Sequence, residues 1–298
     1  MNEHGKSDSP VVPTKPSNKA ASAVAEMVEE RGLAKENTGS KPRTGPRAGT
    51  DVSHALDRVR EVAGQDRQAR FTALLHHVDL DRLRAAYRAI RPQAAAGVDG
   101  VTWEAYGQDL EANLRGLLER VHTGRYRAAP SRRVYIPKAD GRLRPLGIAT
   151  LEDKILQRAV VEVLNAVYET DFLGFSYGFR PGRSPHDALD ALTTGIGRKK
   201  VNWVLDADIR DFFTSLDHGW LMKFVEHRIA DPRVLRLIRK WVTAGVIEDG
   251  TWTASEGTPQ GASVSPLLAN VYLHYVLDRW VRQWRKHNAH GDDHRAVR

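Results

Sequence analysis

Within residues 132–169 the hydrophobic period of the chain changes, and this change constrains the fold more than any other stretch. "RRVYIPKADGRLRPLGI" (132–148) alternates apolar and basic residues around an Asp-Gly turn, the pattern of a β-hairpin with a basic tip. "LEDKILQRAVVEVLNAVYE" follows at once and repeats Ile155, Leu156, Ala159, Val160, Val163, Leu164 and Val167 at helical spacing. A chain that joins a hairpin to a long apolar-faced helix is expected to be α+β.

Helices dominate the remainder. "DLDRLRAAYRAI" sets Leu80, Leu83, Tyr87 and Ile90 on one face and should stop before Pro92. "GVDGVT" (97–102) must turn, and Thr102 can cap a helix whose apolar face is Leu110, Leu114, Leu117 and Val121. "SPHDALDAL" opens another helix with a Ser cap followed by Pro. "NWVLDADI" (202–209) alternates Trp203, Leu205 and Ala207 with Val204, Asp206 and Asp208 and reads as a strand. Helices are expected around Leu221–Arg228 and Val234–Val242, and "GVIEDGTWTASEG" reads as a second hairpin. Residues 1–50, rich in Pro, Gly, Ser, Thr, Lys and Ala, are expected to be a mostly disordered tail.

Charge narrows the partner. The 298-residue chain carries a net charge of +8, and Arg115–Arg144 holds nine Lys or Arg against two acids, Glu119 and Asp140. That concentration predicts a polyanion partner, with Arg125, Arg127, Arg132 and Arg133 as candidate RNA contacts. No cysteine is present, so disulfides and thiolate metal sites are excluded, and a reducing cytoplasm is the expected compartment. Neither a signal core nor a membrane-spanning run is apparent, since even "AVVEVLNAVY" is broken by Glu162 and Asn165.

Two segments carry candidate chemistry. Asp208 ends the expected strand and is followed by "IRDFF"; a carboxylate at a strand end can hold Mg²⁺, with Asp206 and Asp211 as neighbouring alternatives. "GTPQGASVSPLLANVYLH" (257–274) sets a glycine-bounded Pro-Gln turn against a helix that starts at Ser265 and Pro266, with Leu267, Leu268, Val271 and Tyr275 anchoring it. Gly257, Pro259 and Gly261 would let the backbone approach a substrate closely, and Gln260 offers both a donor and an acceptor. Lys138, Arg142 and Arg144 near the hairpin tip can supply charge and forked hydrogen bonds to phosphate.

"DADIRDFFTSLDH" followed by "GTPQGASVSPLLANVYLHYVLD" resembles reverse transcriptases of the group II intron type. The resemblance extends over about residues 55–298, through "FTALLHHVDLDRLRAAY", "GVDG", "IPKADGRLRPLGI" and "SYGFRPGRSPHDAL". It implies a right-hand polymerase, with residues 51–200 as N-terminal extension and fingers and residues 201–298 as a partial palm carrying a small antiparallel sheet. It also implies RNA-directed DNA synthesis with Mg²⁺, deoxynucleoside triphosphates, an RNA template, a DNA primer and the intron RNA as partners. Asp208 would be the catalytic aspartate, binding metal together with Ile209. Lys138, Arg142, Arg144, Ile209, Asp211, Phe212, Phe213, Gln260 and Gly261 would surround the nucleotide, with Phe213 beneath the sugar excluding a 2′-hydroxyl.

The resemblance also implies a second carboxylate hairpin, Tyr-Ala-Asp-Asp, about where this sequence ends at Arg298. "HGDDHR" (290–295) is polar on both sides, so it is expected to be a solvated loop and not that hairpin. His287, His290 and His294 beside it are expected to bind no metal. The expectation is therefore a fragment inactive alone, with an exposed edge at residues 202–209; the alternative is a non-catalytic RNA-binding module that assists intron folding.

Overall fold

The computed structural model describes residues 56–138, 141–198, 201, 203–254, 257–258, 260–288 and 296–298. The expected tail at 1–50 and the "HGDDHR" loop fall outside these, apart from the loop's flanks. The elements run α1 (Asp57–Gln65), α2 (Leu80–Arg88), α3 (Trp103–Gly107), α4 (Leu110–His122), β1 (Ser131–Pro137), β2 (Leu143–Ile148), α5 (Leu151–Tyr168), α6 (Pro185–Arg198), α7 (His218–Glu226), α8 (Pro232–Val242), β3 (Val246–Glu248), β4 (Thr251–Thr253), α9 (Ser265–Leu273) and α10 (Arg279–Asn288). One π-type turn, His274–Asp278, links α9 to α10.

Helix α5 is the spine. Thr150 caps it, accepting from the Asp153 N–H, and Ile155, Leu156, Ala159, Val160, Val163, Leu164 and Val167 are all buried, as their spacing predicts. Burying each such Leu, Ile or Val contributes about 1.5–3 kcal/mol. The surrounding apolar cluster draws on α1, α2, α4, α7, α8 and α9, from Leu56 to Val271. Helix α2 starts at Asp79, whose carboxylate accepts from Arg82 N–H, and Thr102 caps α3 as expected. The helix expected after Thr102 is broken in two, α3 and α4. Gly107 sits at the break, where a Cβ would lie 2.4 Å from the Tyr87 hydroxyl.

Asp231 ties two regions together. It caps α8 through the Arg233 N–H at 2.9 Å, and its other oxygen accepts from Leu74 and Leu75 N–H at 2.8 and 3.0 Å. Burial alone would raise its pKa, but hydrogen bonds from the Arg233 side chain and these N–H groups outweigh it and bring it down to about 2.

The hairpin reading of 132–148 holds, with β1 and β2 antiparallel from Arg132 opposite Ile148 to Pro137 opposite Leu143. β3 and β4 form the second hairpin, turning on Asp249 (φ +47°) and Gly250 (φ +78°). The two hairpins join through a short parallel pairing of β1 with β3, giving a mixed sheet ordered β2-β1-β3-β4.

The strand expected at 202–209 is not formed. Residues 203–209 are irregular, and Trp203 and Leu205 are both 91% exposed. An isolated strand satisfies none of its ladder hydrogen bonds, and no described strand lies against this one. The expected antiparallel palm sheet is thus replaced, among the described residues, by the mixed sheet of the two hairpins. Helix α6 begins with a reciprocal cap, Ser184 N–H to Asp187 carboxylate and Asp187 N–H to Ser184 hydroxyl, yet buries none of its residues. Leu189, Leu192 and Ile196 on α6 are exposed, as are Val201, Val204 and Ile209.

Candidate active site

Pro259 lies outside the described residues, but Gly257, Thr258 and Gln260 on either side of it are clamped from two sides. Gly147 N–H of β2 donates to the Gln260 carbonyl at 2.7 Å, and Thr258 N–H donates to the Phe213 carbonyl at 2.8 Å. His218 Nε2 adds a bond to the Gly257 carbonyl at 2.5 Å. Three segments far apart in sequence therefore meet: the basic hairpin, the stretch after Asp208, and the turn itself.

The glycines serve this contact in a way the sequence did not indicate. A Cβ on Gly257 would lie 2.1 Å from the Phe213 carbonyl oxygen, and one on Gly261 would lie 2.7 Å from the Gly147 carbonyl oxygen. Both carry positive φ, +69° and +112°. The close approach they permit is to the chain's own backbone. The sequence gives no sign of His218 or Gly147, because hydrogen bonds to main-chain carbonyls 39 and 113 residues away leave no periodic signal.

Downstream of Asp208, Asp211 takes a left-handed φ of +48°, and its carbonyl accepts from Thr214 and Ser215 N–H. The reversal points the two phenylalanines to different neighbours. Phe212 meets Phe213 edge-on at 5.6 Å and Tyr272 of α9 edge-on at 6.4 Å. Tyr272 in turn packs on Phe224, so Phe212 joins an aromatic cluster. Phe213 is half-buried, and its carbonyl holds the turn.

At the hairpin tip Lys138 N–H donates to the Arg142 carbonyl at 2.7 Å, and both side chains are exposed while Arg144 is half-buried. The candidate RNA contacts fare differently. Arg125 is ion-paired with Glu119, Arg132 donates to the Ala96 carbonyl at 2.8 Å, and Arg133 lies 3.9 Å from Glu248. Arg127 is exposed.

Asp206, Asp208 and Asp211 are exposed on one short stretch. Among the described residues no three His, Cys, Asp or Glu side chains come together as a metal ligand set. Mg²⁺ is commonly held by one or two carboxylates with substrate oxygens and water completing its octahedron, so an exposed Asp208 fits a partial ligand set and not a closed one.

The "SYGFRPGR" motif is structural. Arg180 is buried, pairs with Glu169 at 2.9 Å, and donates to the Leu173 and Ser176 carbonyls at 2.9 and 2.7 Å. Asn270 of α9 donates to the Gly178 carbonyl at 2.7 Å, fixing the helix that follows the turn. Arg298 closes the same region, with a 2.6 Å pair to the fully buried Asp278 and bonds to Asn270 and Ser176. His274 lies beside them, its pKa brought down to about 4 by burial and then by Arg279 and Arg298.

The sequence pattern of the reverse transcriptase (RNA-dependent DNA polymerase) family matches residues 136–294, just over half of the chain. The chain belongs to that family. The matched span runs from the basic hairpin through the Asp208 stretch to the Pro-Gln-Gly turn and α9, so the assembled segments are those of a reverse transcriptase. Protein YkfC of Escherichia coli K12 is 43% identical over 193 residues, covering 62% of this chain and 51% of that protein. Group II intron-encoded protein LtrA of Lactococcus lactis is 34% identical over 231 residues, covering 76% of this chain and 38% of LtrA. The chain thus spans about half, or less, of the curated relatives it matches. One solved assembly, the partial Cas6-RT-Cas1--Cas2 complex, aligns with a TM-score of 0.44 at 23% identity, over 70% of this chain and 34% of that chain. The intron-type reverse transcriptase resemblance is borne out, as is the helix-rich α+β fold. Among the described residues no helix is long and apolar enough to cross a membrane.

Proposed function

We propose that the chain is the nucleotide- and template-facing part of an RNA-directed DNA polymerase encoded by a group II intron. The observation that carries this is the clamp on the Pro-Gln-Gly turn. Two short main-chain bonds hold it between the basic hairpin and Phe213, which is where a nucleotide would need a rigid floor. Phosphoryl transfer depends mainly on positioning and charge neutralisation, and the reading assigns these to separate elements. Lys138, Arg142 and Arg144 face the triphosphate, Gln260 and Gly261 support the nucleotide, and Phe213 limits room beneath the sugar.

Asp208, with the Ile209 carbonyl, is the proposed anchor for Mg²⁺, whose role when bound is to neutralise charge developing on the transferred phosphate. Because the described residues supply no complete ligand set, the proposal requires further carboxylates beside Asp208. Intron RNA, an RNA template, a DNA primer and deoxynucleoside triphosphates are the proposed partners, with a cytoplasmic location.

The test is primer extension on an RNA template with Mg²⁺, using protein supplied with the residues that complete the carboxylate set. Asp208→Asn should abolish synthesis while RNA affinity is retained. Synthesis at the wild-type rate by Asp208→Asn would overturn the catalytic assignment. RNA binding without synthesis in any completed form would favour a non-catalytic module that assists intron folding.

A further inference from the structure

We infer that the cleft between the end of α4 and the outer face of α8 is a binding site for the phosphodiester backbone of structured RNA, with Arg236 as its principal contact. The cleft has a volume of ≈ 130 Å³ and is lined by His122, Gly124, Arg233, Arg236 and Lys240 with a few apolar neighbours, and no acidic side chain lines it.

The charge follows from how α8 is built. Val234, Leu237, Ile238, Trp241 and Val242 are buried, which forces the intervening basic residues outward. Arg233, Arg236 and Lys240, spaced i, i+3 and i+7, share one face and reach the cleft. Most of these groups are already held in place. Arg233 pairs with Asp231 at 3.2 Å, Lys240 donates to the Tyr126 and Gly124 carbonyls, and His122 Nε2 bonds the Val78 carbonyl at 3.0 Å. Their positions are therefore set before any ligand arrives, which lowers the ordering cost of binding.

Arg236 differs from them. It is exposed, and among the described residues its guanidinium has no hydrogen-bonding or ion-pair partner. It reaches the α4 turn, 3.6 Å from where a Cβ on Gly124 would sit. A guanidinium fork over a cleft with no acid matches the two non-bridging oxygens of a phosphodiester.

The cleft favours a backbone over a stacked base: Tyr126 is 2% exposed, with its hydroxyl committed to Asp153 and Trp241, and the His122 ring is tied through Nε2 to the Val78 carbonyl. Unpaired bases are recognised by stacking on open aromatic faces, whereas structured RNA presents phosphates. The cleft also adjoins the basic stretch of residues 115–144, so the two surfaces can follow one strand.

This inference rests on the proposed RNA-binding function, and the test separates the two. Affinity of the full chain for a stem-loop RNA is measured by fluorescence anisotropy between about 50 and 200 mM salt. Arg236→Gln should fold normally and lower the slope of log affinity against log salt by one phosphate contact, roughly 0.7–0.9. The wild-type advantage should accordingly shrink roughly threefold across that salt range. Arg239→Gln is the control, since Arg239 lies on the same helix outside the cleft and pairs with Glu226 at 3.2 Å. It removes the same charge and should run parallel to wild type.

Failure of the wild-type chain to bind RNA would overturn the function and this inference together. A wild-type slope in Arg236→Gln, or an equal loss in Arg239→Gln, would overturn the cleft alone. If inorganic phosphate at matched ionic strength erased the difference between wild type and Arg236→Gln, the ligand would be free phosphate and the RNA assignment would fall.

Discussion

Replacing Gly257 with Ala should detach the Pro-Gln-Gly turn from Phe213, at a cost that can be worked from the geometry. Gly257 has φ +69°, a conformation that costs an L-residue about 1–2 kcal/mol. The new Cβ would stand 2.1 Å from the Phe213 carbonyl oxygen and 2.7 Å from the Thr214 carbonyl group, so the turn has to move. Moving it breaks the 2.8 Å bond from Thr258 N–H and the 2.5 Å bond from His218, each worth about 0.5–1.5 kcal/mol net. The sum is about 2–5 kcal/mol.

Gly250 isolates the backbone part of this cost. Its φ is +78°, yet a Cβ there would meet nothing within 4 Å, so Gly250→Ala should cost only the conformational ~1–2 kcal/mol. Urea unfolding followed by circular dichroism measures both variants. If Gly257→Ala were no more destabilised than Gly250→Ala, the close backbone approach would not be what requires glycine, and the clamp argument would fail.

Two other measurements address neighbouring parts of the structure. His274 is buried with its pKa at about 4 against an ordinary 6.5, so the unfolded chain takes up a proton first as pH falls. Its contribution is fully present above pH 6.5 and is lost as pH drops through 4, about 3 kcal/mol in all. His274→Gln should flatten the stability profile in that window; an identical profile would refute the burial argument. Phe212→Val should lose about 1–2 kcal/mol of stability through its edge-on contacts with Phe213 and Tyr272. Phe213→Val should be less destabilising and, in an active polymerase, admit ribonucleotides; the opposite pattern would exchange the two assignments.

Local elements were legible from the sequence because their causes are local. The hairpin at 132–148, the spine α5, the Thr102 cap and the Ser cap that opens α6 each depend on residues within a few positions of one another. So does the sign of the charge, which points to a polyanion whatever the fold. The motifs at 206–213 and 257–261 could be recognised in the same way, each as a short contiguous pattern.

Pairing across long separations was decided only by the tertiary structure. "NWVLDADI" has the alternation of a strand, but a strand exists only when another chain segment satisfies its N–H and C=O groups, and none of the described residues does. The basic stretch shows the same limit: that Arg125 meets Glu119, that Arg132 meets the Ala96 carbonyl, and that Arg236, a hundred residues away, lines the cleft are all decided by the fold. Gly257 and Gly261 are the clearest case. Glycine there signals that something approaches closely, and that it is the carbonyl of Phe213 in one case and of Gly147 in the other follows from packing in three dimensions.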